Sequence, residues 1–349
     1  MNFPSINSTK FITDKDLKMF KKYILLLVCA AYISAAYNIT TYIYKTVGDV
    51  QIKLDVYTPP RPAPTGGYPV FFSLHGGAYI EGNKHQAFTS QELSEVMSRG
   101  WVAVTIDYRL LPGVVLQEVV EDVQDAYKWV RTELVKLTPI NLDLITVFGR
   151  SAGGGLAVLS GYKLSPRPQA IVGFYSGCTN WTEPFLHDPS TPVDPLLVAA
   201  ANKLSVPVVT EYTPARTADP KNALWHSAEA QGKAGWLAVT HDPNILTEQV
   251  MGILRDLSAT ENVDENYPPT YLAHGTADTT VPYTQSVQLA NSLKLKSIPY
   301  VLDLVPNAGH SFDSGADLWQ QHVLPAFEFA QKYMQTSAEK KVDMKFLEK

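Results

Sequence analysis

The chain has 349 residues, 45% of them hydrophobic and 18% charged, with 24 Pro and 21 Gly, which is globular composition long enough for one large α/β domain or two small ones. A formal net charge of −5 argues against nucleic acid as a main partner, since no basic stripe is present to displace counterions from phosphates. Two cysteines, Cys29 and Cys178, give neither a disulfide framework nor a Cys-based metal site, and eight scattered His without an H-E-x-x-H spacing leave a mechanism free of metal and cofactor as the expectation.

Lys10, Lys15, Lys18, Lys21 and Lys22 precede an apolar run, YILLLVCAAYISAA, over residues 23–36. The run is shorter than the ~20 apolar residues of a membrane-spanning helix. Its basic flank and the small residues Ser34, Ala35 and Ala36 fit a secretory signal peptide. A glycosylation sequon at Asn38 agrees with secretory entry. A retained membrane anchor and a helix packed on a cytosolic enzyme are the alternatives, and the lack of a disulfide framework speaks mildly against secretion. Residues 1–37 are expected to form this targeting segment and 337–349 a charged tail.

Beyond it, TYIYKTV and VQIKLDVY flank Gly48-Asp49, and Val50, Ile52, Leu54 and Val56 alternate with polar residues, which predicts an antiparallel hairpin with one buried face. TPPRPAPTGGYP is a surface loop. Strands are predicted at 70–74, 101–108, 144–149, 170–176, 270–275 and 300–305. Helices are predicted at 86–98, 117–136, 152–163, from about Tyr283, and from about Ala316 to Met334. Apolar strands separated by helices imply a mostly parallel central sheet with helices on both faces. Between Ser176 and Asn266 the alternation fails. That stretch carries Trp181, Phe185, Tyr212, Trp225 and Trp236 with helical pieces near 195–204 and 244–257, and its length suits a cap over 177–265. A helical subdomain with its own core is compatible with that. The core would then be 38–176 and 266–336.

Gly149-Arg150-Ser151-Ala152-Gly153 is G-x-S-x-G between a strand and a helix, the setting in which a tight turn exposes a serine hydroxyl as a nucleophile. A serine needs a base, and His310 in NAGHSF follows the last strand in a loop able to reach the carboxyl edge of the sheet. The imidazole needs a carboxylate; Asp278 in HGTADTTVP leads, with Asp242 and Asp313 as fallbacks. The remaining histidines fit the base less well: His322 is mid-helix, His274 ends a strand, and His187, His226 and His241 fall in the insertion. In LHGGAY, Gly76 and Gly77 leave backbone N–H groups open to a ligand, and with the N–H of Ala152 they would form an oxyanion hole.

HGGAY, DYRL, GRSAGG, HGTAD and GHSF, in this order, resemble the hormone-sensitive-lipase-like branch of the α/β-hydrolase superfamily, over roughly residues 40–336. The resemblance implies an α/β-hydrolase fold, a triad of Ser151, Asp278 and His310, and carboxylesterase or formamidase chemistry. Two departures stand out: Arg150 occupies a position often acidic in that branch, and YRLLPG lacks the carboxylate that usually follows Pro112. Arg150 is expected either to pair with a nearby acid or to attract an anionic substrate; Asp107 and Arg109 read as structural.

The leading expectation is a serine hydrolase of a small or medium carboxylic ester, working through an acyl-enzyme, with the aromatic insertion walling an apolar pocket. Amide cleavage by a formamidase or prolyl-type peptidase is the second reading. A non-catalytic small-molecule binding protein on the same fold is the third.

Overall fold

A computed structural model describes residues 37–205, 220–242, 244–245, 247–314 and 318–335. The expected targeting segment, Tyr37 apart, and the expected tail lie outside these residues. The hairpin forms as β1 (Asn38–Val47) and β2 (Val50–Thr58), turning through Gly48 at φ +58°, which a residue without Cβ adopts freely. Ile52, Leu54 and Val56 are buried, but so are Asp55 and Tyr57 on the opposite side. The strand therefore has two covered faces rather than the one its alternation predicts, because β2 lies inside the sheet and both faces of that sheet are overlaid.

The other strands are β3 (Tyr68–Leu74), β4 (Val102–Ile106), β5 (Ile140–Arg150), β6 (Ala170–Phe174), β7 (Thr270–Gly275) and β8 (Tyr300–Val305). They pair in parallel, β2 joins β4 antiparallel, and the order is β1-β2-β4-β3-β5-β6-β7-β8. Alternate residues of β3 separate the layers. Val70, Phe72 and Leu74 pack with α2 (Leu116–Trp129) and α3 (Ala152–Lys163), while Phe71 packs with α1 (Ser90–Arg99) and the C-terminal helix. Each such side chain withdrawn from water contributes about 1.5–3 kcal/mol.

Helix α1 starts later than predicted because Thr89 caps it. The Thr89 hydroxyl accepts from Glu92 N (3.2 Å) and the Glu92 carboxylate accepts from Thr89 N (2.8 Å). Helix α2 runs on through a π-helical turn, Val130–Leu134, and ends at Leu137. The C-terminal helix has a π-helical turn, Trp319–Val323, before its regular part, Leu324–Tyr333; its expected start at Ala316 lies outside the described residues.

The stretch between β6 and β7 holds α4 (Pro195–Leu204), α5 (Pro220–Ala230), α6 (Ala234–Val239) and α7 (Thr247–Asp256). The first and last answer the two predicted pieces. The middle pair is rich in alanine and lacks a clean apolar stripe, so its periodicity is weak. Trp181, Trp225 and Trp236 are buried in one cluster with the α2–α3 face of the sheet, not in a separate core. Two of them lie against Tyr79, with ring centroids at 5.7 and 6.4 Å. These rings fasten the insertion, and through Trp225 helix α5, to the core, where the sequence suggested pocket walls; Tyr212 lies outside the described residues. After β7, α8 (Thr284–Leu295) precedes β8, and the C-terminal helix is α9 (Leu324–Tyr333).

Candidate active site

Parallel pairing brings the carboxyl ends of β3, β5, β7 and β8 to one edge, where ligands bind in open α/β sheets. At the end of β5, Ser151 has φ +52° and ψ −124°, a conformation that costs a non-glycine residue about 1–3 kcal/mol. Three backbone bonds hold it: Ser151 N–H to Phe174 O (2.9 Å), and Ser151 O receiving Gly155 N–H (3.0 Å) and Gly177 N–H (2.9 Å). The flanking glycines are steric necessities. A methyl on Gly149 would overlap the Gly153 carbonyl oxygen, and one on Gly153 would overlap the carbonyl oxygens of Leu74 and His75. Helix α3 starts at the next residue, so its positive end faces the serine.

The loop after β8 brings His310 Nε2 to 3.0 Å from Ser151 Oγ, and His310 Nδ1 lies 2.7 Å from Asp278 Oδ2 in the loop after β7. Because the carboxylate only accepts, Nδ1 carries the proton and Nε2 is left to accept from the serine hydroxyl. The other carboxylate oxygen is pinned by Thr280 N–H (2.8 Å) and Val281 N–H (2.9 Å). Burial by itself would push the Asp278 carboxyl up. Hydrogen bonds from His274, His310 and the Val281 N–H outweigh it and hold the group well below the usual carboxylate range.

Gly76 lies against the nucleophile: a methyl there would come 3.3 Å from Ser151 Cβ. Gly77 has φ +113°, and a Cβ on it would overlap the Glu81 carbonyl, so only glycine fits. Ala152 opens α3, and its N–H has no acceptor one turn earlier in the helix. Beneath this loop His75 stacks on Tyr108 at 4.0 Å, and burial lowers its imidazole to about 4, so the ring is neutral at pH 7.

The fallback carboxylates are engaged elsewhere. Asp242 accepts from Asn244 N–H in its own turn, and Asp313 accepts from the Tyr175 hydroxyl at 2.7 Å. His322 pairs with Asp303, His226 with Glu229, and His241 with Ser205. Arg150 is paired with acids, contacting Glu92 and, at 3.2 Å, Asp313. Asp107 holds the Lys84 N–H (2.8 Å) and Arg109 grips Asp122 (2.8 and 2.9 Å), as expected of structural groups.

Two residues at the site escaped the sequence reading. His274 Nε2 sits 2.9 Å from Val281 O and 3.3 Å from Asp278 Oδ2, while its Nδ1 meets Ser286 Oγ at 2.8 Å. A carbonyl only accepts, so Nε2 bears the proton, donating to Val281 O while lying near the same Asp278 oxygen that meets His310. The four-residue spacing within HGTAD is the signal for it. Tyr175 lies edge-to-face on His310, 4.6 Å between ring centroids, with no local signature in the sequence.

The BD-FAE family model matches residues 54–293. Among curated proteins the chain is similar to the non-reducing polyketide synthase ascC of Acremonium egyptiacum, 26% identical over 343 residues that cover 85% of this chain and 15% of that protein. It is also similar to the 5-methylorsellinic acid synthase of Aspergillus terreus, 27% identical over 349 residues covering 83% and 13%. The chain thus spans about 15% of the length of the curated relatives it matches. Among solved structures it resembles the thermophilic esterase Est2 of Thermogutta terrifontis, with TM-score 0.57, 20% identity, and coverage of 84% of this chain and 91% of that one. The propionate-bound form (TM-score 0.56, 20% identity, 84% and 93%) and the form phosphonylated by sarin (0.56, 20%, 84% and 93%) match equally well. At this identity the likeness is one of fold.

Proposed function

Because the chain belongs to the BD-FAE family and has the α/β-hydrolase fold, we propose that it is a serine hydrolase that cleaves a small or medium carboxylic ester at Ser151. The observation that carries this reading is the continuous line from Asp278 through His310 to the Ser151 hydroxyl, at 2.7 and 3.0 Å. His310 Nε2 takes the hydroxyl proton as Oγ attacks the ester carbonyl, and Asp278 stabilises the imidazolium. The oxyanion accepts from the N–H groups of Ala152 and of Gly76 or Gly77, each donor worth roughly 100- to 1,000-fold in rate. The imidazolium returns its proton to the departing alkoxide. Water, activated by the same imidazole, then releases the acid and restores Ser151. Resemblance to the hormone-sensitive-lipase-like branch supports the same chemistry, as does the capture of Est2 with propionate.

Ser151→Ala should abolish turnover of p-nitrophenyl butyrate and labelling by a fluorophosphonate. Retained turnover or labelling would mean that another group is the nucleophile.

A second substrate class is favoured by the likeness of 85% of the chain to a polyketide synthase: an acyl thioester, since polyketide assembly is acyl-transfer chemistry. Comparing kcat/KM for matched oxygen esters and N-acetylcysteamine thioesters separates the two. We also propose that residues 1–37 form a secretory targeting segment, which N-terminal sequencing of the mature protein tests.

A further inference from the structure

Arg150 stands one residue before the nucleophile, and its guanidinium, packed over the Phe148 ring at 5.4 Å, is held between two acids. On one side is Glu92, which also closes the first turn of α1 through Thr89 N–H (2.8 Å). On the other is Asp313, three residues past His310, whose Oδ2 lies 3.2 Å from Arg150 Nε as an ion pair without hydrogen-bond alignment. The second Asp313 oxygen takes the Tyr175 hydroxyl (2.7 Å), and the Tyr175 ring supports both His310 (4.6 Å) and Phe312 (5.6 Å). Glu92 and Asp313 are both buried, and the Arg150 side chain is only 13% exposed. One cation therefore ties the start of α1, the end of β5 and the loop that carries the base.

A buried carboxylate is held close to its counter-charge, because leaving it uncompensated away from water is strongly unfavourable. Asp313 is therefore restrained beside Arg150, and the short stretch 310–313 transmits that restraint to the imidazole. We propose that Arg150 is a positioning residue that, through Asp313, fixes the loop carrying His310 and with it the imidazole-to-hydroxyl distance at Ser151. This inference rests on Ser151 being the nucleophile. It also uses the guanidinium's charge internally, between two acids, which leaves Arg150 unsuited to attract an anionic substrate. Lysine would serve poorly in its place, since an ammonium lacks the planar fork that spans two acids.

The experiment is Asp313→Asn, which keeps the size of the side chain and an acceptor for Tyr175 and leaves Arg150 paired with Glu92. We expect kcat on p-nitrophenyl butyrate and the rate of fluorophosphonate labelling to fall about 10- to 100-fold, the effect of displacing a catalytic group by around an ångström. KM and the thermal midpoint should stay near wild type, and Arg150→Lys should fall between the two proteins. The low-field proton resonance of the His310–Asp278 hydrogen bond should broaden in the Asp313→Asn protein. That signal reports the position of His310 whether or not Ser151 reacts, so it separates this inference from the reading of function. An unchanged resonance with kcat within twofold of wild type would overturn the proposal. So would a loss of activity that tracks a lowered thermal midpoint and disappears on cooling.

Discussion

Replacing Asp278 by Asn exchanges a carboxylate for an amide of the same shape, and the surroundings determine how that amide sits. Thr280 and Val281 present two N–H donors, at 2.8 and 2.9 Å, to one carboxylate oxygen. The amide oxygen must take that place, because an NH2 group there would face two donors. The NH2 is then turned toward His310 Nδ1, now 2.7 Å from Oδ2. Two donors cannot share that line, so the imidazole shifts its proton to Nε2 and presents N–H, not a lone pair, to Ser151. The base is lost without any loss of packing. The expected fall in kcat is on the order of 10⁴-fold, about 5 kcal/mol in the barrier, with KM little changed. Steady-state hydrolysis of p-nitrophenyl butyrate from pH 6 to 10 measures it, alongside circular dichroism to verify the fold. A variant retaining a tenth of wild-type kcat at pH 7 would refute the reasoning, since His310 would then hold its tautomer without Asp278.

Gly153→Ala should destabilise the protein by about 1–3 kcal/mol, because its methyl has to displace the carbonyl oxygens of Leu74 and His75, which belong to the central sheet and the hole loop. An unchanged urea midpoint would contradict it. His274→Ala should lower kcat about tenfold with KM unaffected, near the low end for a hydrogen bond to a charged group because the donor is shared with Val281 O and lies 3.3 Å away. The same variant bears on acid stability. The Asp278 carboxyl lies below its unfolded value of about 3.9, so its contribution is complete above that pH and is lost as pH falls through the lower folded value. Removing His274 raises that folded value, and the acid transition followed by circular dichroism should begin at higher pH; an identical transition would rule out the contact.

Much of the fold can be read from short segments. Val70, Phe72 and Leu74 against Phe71, the run from Ile145 to Phe148, and the glycines around Ser151 each carry their instruction within a few residues, because strand alternation and steric room at a turn are local properties. Reading fails where the pattern has other causes. Tyr57 and Asp55 look solvent-facing by alternation, yet both are covered by elements distant in the chain. Helix α5 is held by Trp225 packed on Tyr79, and α6 is buried in the same cluster through Trp236, rather than by an apolar stripe of their own.

The site divides in the same way. Ser151, Asp278 and His310 can be singled out from sequence because each follows a recognisable strand, and parallel pairing delivers the ends of such strands to one edge. The chain alone also accounts for glycine at 149 and 153, through the tightness of a strand-to-helix turn. Only the tertiary structure decides that Tyr175 supports His310. It alone sets Arg150 between Glu92 and Asp313 and buries Trp181 and Trp225. Those contacts join residues far apart in the chain, and their partners are chosen by the order β5-β6-β7-β8 and by the layer laid over each face, a geometry that no window of neighbouring residues encodes.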